Sequence, residues 1–252
     1  MDVQDLTTFM EVAGEGHRLA VLDVVNRLGP TTHVLEPLNV RAIGRNSHWV
    51  TWRPAGLSGL LVHLDQGHGV YFVTNGATAV YKLLGAAAAN GDIVLAGTLA
   101  WRIVSNGATE TEANRLRTLA SLTRPQDDEF QGARRPVFLA RECLHWITPR
   151  VPSDPLQTRM VMARTIVEGD GVSPPILQQT GGRFSVAYQP HMAPVQAAIL
   201  VRDVPPPLIG TQLTGIELRP MDGYGGERPE TAWRFAAETT EAYDAIAEKL
   251  CP

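Results

Sequence analysis

The stretch Leu38–Gly56, LNVRAIGRNSHWVTWRPAG, carries the densest set of local signals in the chain. Apolar alternation predicts one strand at Val40 and Ala42 and a second at Trp49, Val50 and Trp52, with the polar run Arg45-Asn46-Ser47-His48 as the tip between them. The pair reads as a basic, two-stranded wing. Pro54 has no amide with which to continue a ladder, so the second strand is expected to close at Pro54-Ala55-Gly56. The apolar segment Leu57–Leu64 that follows reads as a helix.

Working outward toward the N-terminus, Leu6, Phe9, Met10, Val12 and Ala13 fall at helical spacing behind Asp5, and Gly14 to Gly16 interrupts them. From His17 the period resumes through Leu19, Ala20, Leu22, Val24, Val25 and Leu28, until Gly29-Pro30 stops it. Two helices before a wing suggest a winged helix-turn-helix.

In the other direction, GVYFVTNGATAVYKLLGAAAANGDIVLAG reads as strand, loop, helix, strand. Val70–Val73 is a buried-type strand, Ala79–Ala89 an alanine-rich helix, and Ile93–Ala96 the next strand. In such a βαβ unit a helix N-terminus at the strand's C-terminal end can receive a carboxylate. Pro229–Leu250 reads as a closing helix, with Trp233, Tyr243 and Ile246 turned inward. Gly169–Pro175 and Pro205–Gly210 read as loops.

The order of these residues resembles the LysR-type transcriptional regulators. Met1-Asp2, Leu6, Phe9, Val12-Ala13 and Gly16 match the opening of that family's first helix, and Leu38-Asn39-Val40, Arg45-Asn46-Ser47 and Arg53-Pro54-Ala55-Gly56 match its wing. Thr78-Ala79, Tyr81 and Leu83-Leu84 resemble the effector-domain pattern of the branch that responds to aromatic acids and muconate. Further pieces, among them Leu122-Thr123-Arg124-Pro125, Leu139-Ala140-Arg141-Glu142 and Leu218-Arg219-Pro220, extend the resemblance over most of the chain. It implies an α/β protein with a winged helix-turn-helix at 1–56, a short linker at 57–68 and a two-subdomain, periplasmic-binding-protein-like effector domain at 69–252. Subdomain I would take about 69–136 and 218–252, and subdomain II about 137–217.

The function implied is ligand-responsive regulation of transcription. Its partners would be double-stranded DNA, a small carboxylate effector and further copies of the chain in a homo-oligomer, with no membrane, no enzymatic activity and no cofactor. DNA would be met by Thr31, Thr32, His33, Arg41, Arg45, Asn46, Ser47 and Arg53, and the effector by Thr78, Thr109 and Arg124. The chain departs from the family where the recognition helix should stand. Only Gly29-Pro30-Thr31-Thr32-His33 is present, about five residues short, more than a helical turn. The linker helix is also too short for the family's dimer contact, which needs roughly 25 to 30 residues.

Bulk properties set the remaining bounds. The 252 residues, 44% hydrophobic and 19% charged, suffice for one large or two modest cores. A net charge of -4 argues against a general nucleic-acid binder, although arginine outnumbers lysine twenty to two. Neither a signal segment nor a membrane-length apolar run is visible, which makes a cytoplasmic location the expectation. Cys143 and Cys251 are too few for a disulfide framework or a metal knuckle.

Two other functions compete. One is a small-molecule-binding or scaffold protein with a decayed DNA-binding end. The other is an iron and 2-oxoglutarate oxygenase, because His63-Leu64-Asp65 with His191 and Arg202 imitates a two-histidine, one-carboxylate triad and its oxoglutarate arginine. An aminotransferase-like reading of Thr74–Thr78 fails for want of a suitable lysine, since only Lys82 and Lys249 exist. The acidic residues Glu110, Glu112 and Asp127–Glu129 read as a solvated face, and Cys143 and His145 as strand packing.

Overall fold

The computed structural model describes residues 9–28, 34–37, 48–65, 69–74, 79–83, 86–104, 133–149, 154–180, 184–193, 213–220 and 231–236. Among them an eight-stranded sheet dominates, in the order β1 (Met10–Val12), β6 (Val80–Leu83), β5 (Gly69–Thr74), β4 (Gly56–Leu64), β8 (Ile93–Val104), β9 (Ala133–Trp146), β10 (Thr148–Pro149). The eighth strand, β12 (Ser185–Tyr188), runs parallel to β9, and every other pair in the sheet is antiparallel. A second sheet has four strands, β2 (Val34–Pro37), β14 (Thr231–Ala236), β13 (Leu213–Pro220) and β3 (His48–Pro54). A small third sheet pairs β11 (Gln178–Thr180) with β7 (Ala86–Ala88).

Apolar residues cover both faces of the large sheet. On one face α1 (Glu15–Asn26) lays Val21, Val24 and, just beyond its end, Leu28 against Leu60, Val62, Leu64 and Val94. On the other, α2 (Leu156–Glu168) packs Ala163, Ile166 and Val167 against Leu61, Phe138, Ala140 and Cys143. The inward stripe of α2 follows helical spacing through Leu156, Arg159, Met160, Ala163 and Ile166, so one of its core-facing positions is an arginine.

This two-sided burial explains why β4 was expected as a linker helix. A strand buried on both faces loses its polar alternation and becomes a short apolar run that periodicity cannot tell from a helix. Leu60, Val62 and Leu64 face α1 while Leu61 faces α2, the period of two that a strand requires. Three further expected helices are corrected in the same way. Met10–Val12 of the expected first helix is β1, paired with β6. The alanine-rich 79–89 segment holds β6 and β7, because ladder partners on β5 and β11 outweigh alanine's intrinsic helix preference. Thr231–Ala236, in the expected closing helix, is β14. The second expected helix does form, as α1, and the strands read at Trp49–Trp52, Val70–Val73 and Ile93–Ala96 lie within β3, β5 and β8.

The described elements therefore do not divide at residue 56. β1 belongs to the large sheet, and β3 pairs along its length with β13. Ala55 alone separates β3 from β4, so the chain passes there from the small sheet to the large one. Gly56 makes the crossing possible, since a Cβ on it would collide with the Leu99 carbonyl oxygen. Among the described residues there is neither a helix pair ahead of a wing nor a pair of α/β subdomains; residues 29–33 and 38–47, where the recognition segment and most of the wing are expected, lie outside them. No described helix is long and apolar enough to cross a membrane.

Candidate binding site

β9 is the strand that brings chemistry into this fold. Its pairing with β8 slips twice: Leu95 lies opposite Cys143 and Val94 opposite His145, and Ala96 lies opposite Glu142 while Gly97 lies opposite Ala140. The second slip leaves Arg141 with no residue across from it. Such a bulge breaks the strict alternation of a strand and re-aims its side chains. Arg141 and Glu142, adjacent in sequence, thereby both reach the region between the large sheet and the small one.

There they join a chain of buried charges. Arg159 of α2 donates through Nε to Glu142 Oε2 at 2.9 Å, and Arg219 of β13 donates through Nη2 to Glu142 Oε1 at 3.0 Å. Arg219 Nε lies 3.9 Å from Glu217 Oε1, and Glu217 Oε2 accepts from Arg141 Nη1 at 2.7 Å. The order is Arg159, Glu142, Arg219, Glu217, Arg141, with signs alternating throughout. All five are buried. Burial on this scale is tolerable only because each carboxylate is shared between two guanidiniums.

Neutral polar groups form the adjoining wall. Glu217 stands opposite Thr51 in the β13–β3 register. The Thr51 hydroxyl donates to the Pro190 carbonyl at 2.9 Å and accepts from Gln189 Nε2 at 2.8 Å. Backbone hydrogen bonds between Val50 and Met192, 2.9 and 2.8 Å, and from Gln189 N to the Ala140 carbonyl, 2.7 Å, tie the 189–192 segment to both sheets. His191 sits in this segment and feels the charges of Arg219, Glu217, Arg141 and Glu142. The residue is only half-buried, yet both ring nitrogens are shut off from solvent and have no hydrogen-bond partner among the described residues. Loss of solvation, reinforced by Arg219, lowers its pKa to about 3, so the ring is neutral near neutral pH.

Comparison with known proteins adds no identity. No family model and no curated protein matches the chain. A solved structure described as "Pmar-Lig_Pre." is similar at 9% identity over 82% of this chain, with a TM-score of 0.41. The chain spans 46% of that protein's length.

Of the residues expected to contact DNA, Arg53 lies on β3 across from Gly215. Thr31, Thr32, His33, Arg41, Arg45, Asn46 and Ser47 fall outside the described residues, as do the expected effector ligands Thr78, Thr109 and Arg124, and Arg202 of the oxygenase reading. The rest of that reading is not assembled. His63 is buried on β4 with Nδ1 3.3 Å from the Gly91 carbonyl, and Asp65 accepts from Gly91 N at 2.9 Å, whereas His191 belongs to the charged junction. Among the described residues no three His, Cys, Asp or Glu side chains are grouped to hold a metal.

A cleft of about 420 Å³ opens beside this end of β4, lined by Asp23, Arg27, Asp92, His145 and Ile147 among others. Its acidic groups are engaged locally: Asp23 with Arg27, Asp65 with Gly91 N, and Asp92 with Asp65 N. The sheet junction was missed in the sequence, although a signal existed. Arg141-Glu142 interrupts the apolar run VFLARECLHW, and Arg159 occupies the apolar stripe of α2. Charged residues at core positions demand partners.

Proposed function

We propose that the chain is a small-molecule-binding protein rather than an enzyme, with its ligand at the junction of the two sheets. The observation that carries this reading is His191. A buried neutral imidazole offers one donor and one acceptor, and an interior group of that kind ordinarily finds partners within the protein or in what it binds. Binding is favoured over catalysis by the state of the neighbouring groups. The two carboxylates are held between guanidiniums, and the Thr51 hydroxyl is fixed between Gln189 and Pro190 rather than set against a base.

The test is a thermal-shift panel of neutral polar, carboxylate and phosphate compounds, with the His191 ring resonances followed by NMR. A compound that raises the melting temperature of the parent chain, moves His191 and fails to stabilise His191→Leu supports the reading. A panel in which nothing moves His191 overturns it.

Transcriptional regulation is a second proposal, supported by the resemblance at Leu38–Gly56 and by the arginines Arg41, Arg45 and Arg53 in that stretch. With a shortened recognition segment, phosphate contacts would dominate, giving weak and salt-sensitive binding with little sequence preference. Titration against random duplex at two salt concentrations tests it, with sedimentation to follow the expected homo-oligomer. No binding at low salt would end this reading and leave the ligand-binding one intact.

A further inference from the structure

The buried charges form an open chain, and the open end points to a ligand class. Reading outward from α2, guanidinium and carboxylate alternate from Arg159 to Arg141, so the described series begins and ends on a positive charge. The two ends differ. At the inner end, Arg159 Nη1 donates to the Asp154 carbonyl at 2.8 Å, just ahead of α2. At the other, Arg141 spends Nη1 on Glu217, while its buried Nε has no hydrogen-bond partner among the described residues. Arg141 is itself nine-tenths buried, with a side-chain exposure of 9%.

A guanidinium Nε–H in the interior is a costly group to leave unmatched, because charged donors lose more on desolvation than neutral ones. The next member of an alternating series after Arg141 is a negative one. His191 stands close enough to feel Arg141, and its ring nitrogens likewise lack protein partners among the described residues. Two donors of this kind, one charged and one neutral, meet the needs of an oxygen-bearing anion, and charge-assisted hydrogen bonds to such a group are short and strong.

We infer that the junction binds an oxyanion, the carboxylate or phosphate group of a small molecule, at the Arg141 end of the charge chain, with Arg141 Nε and the His191 ring as its donors. This rests on the binding function proposed above and names the chemistry of its ligand. The anion extends the alternation to a sixth member and leaves the four inner ion-pair contacts in place.

The experiment is calorimetry on the full chain, with inorganic phosphate in one arm and acetate in the other, alongside NMR of the His191 ring. At least one anion is expected to bind and to shift the His191 resonances, and the stronger arm assigns the source as phosphate or carboxylate. Arg141→Lys keeps a charge for Glu217 but loses the Nε–H, and should weaken binding by the folded protein about tenfold. His191→Phe leaves the ion chain alone, so it should weaken binding in the same direction even if the lysine variant folds poorly.

If neither anion moves His191 at about 10 mM, the inference fails. It also fails if both anions bind parent and variants equally. Should a neutral compound move His191 where both anions do not, the oxyanion inference falls and the binding function stands. Should no compound of any class do so, both fall together.

Discussion

The centre of the large sheet and its junction with the small one solve the same problem, close packing, with opposite chemistry. At the centre Gly59 of β4 lies directly across from Gly97 of β8. The ring of Phe72 covers Gly59 and that of Phe138 covers Gly97, and the two rings meet edge to face with centroids 6.2 Å apart. The glycines are a notch and the phenylalanines its filling, a contact worth about 1 kcal/mol beyond area burial. At the junction five charges occupy comparable depth, beside a half-buried histidine. An apolar core could have filled that space at no electrostatic cost, since well-packed hydrophobic replacements of buried ion pairs are often neutral or stabilising. The centre is therefore accounted for by stability, whereas the junction calls for a second reason, which the proposed ligand supplies.

Breaking the junction at its most connected member should give the largest effect. Glu142→Ala removes the carboxylate that Arg159 and Arg219 share, each bonded to it at 3.0 Å or less. Loss of one partner from a buried pair costs about 3 to 5 kcal/mol, read as a fall in the urea midpoint. Replacing the charges together sharpens the contrast. Glu142→Leu with Arg159→Leu and Arg219→Met should recover most of that loss and, because the donors Arg141 and His191 remain, weaken ligand binding only through the charges removed behind them. A triple variant that binds as the parent does would show the network to be scaffolding alone.

The apolar centre should respond to crowding instead. A Cβ at Gly97 meets the Leu139 carbonyl oxygen and lies 2.7 Å from the tip of the Phe138 ring. Gly97→Ala is expected to cost about 1 to 3 kcal/mol, and Phe138→Leu in the same chain to return part of it. Full additivity of the two losses would contradict the notch and its filling.

The same contrast decides how much was legible in the sequence. Val70–Val73 and Trp49–Trp52 read correctly as strands because β-branched and aromatic residues cluster between turn signals. Leu57–Leu64 did not, because burial on both faces erased its alternation. Ala86–Ala88 did not, because its strand pairing with Gln178–Thr180 lies some ninety residues away and leaves no local trace. The junction was half legible. Arg141-Glu142 interrupts an apolar run and Arg159 an apolar stripe, a signal left unread in the sequence, and the register slip that gathers them is a property of β8 and β9 together. Glu217, Arg219 and His191 lie far from those residues in sequence and are brought to them by β13 and the 189–192 segment.

Acid should separate the two regions more gently than mutation does. The folded pKa of His191, about 3, lies below its ordinary value of 6.5, so the unfolded chain binds the extra proton between those limits. Its contribution to stability is full above pH 6.5 and is lost as pH falls toward the folded pKa. Going from pH 7 to about 5.5 should cost the parent about 1 kcal/mol through this group, a cost His191→Leu would not show. Gly97→Ala should keep the parent's slope, because the notch contains no titrating group. Identical slopes in His191→Leu and the parent would exclude His191 as their source.

The smallest effect is expected where a similar ion pair stands in water. Arg18 donates to Glu15 through Nε at 3.0 Å and Nη2 at 2.9 Å, a two-pronged contact whose geometry matches any in the junction. Its surroundings do not, for Glu15 is exposed and Arg18 is partly so, and screening and side-chain entropy cancel most of the attraction there. The hydrogen bond from Arg18, and then its charge, hold the Glu15 carboxyl below the usual range. Arg18→Ala should let that pKa rise, visible in an NMR titration of Glu15, while the urea midpoint stays where it was. A midpoint that dropped as far as in Glu142→Ala would show that geometry rather than burial sets the worth of an ion pair here, and the comparison between junction and surface would lose its physical basis.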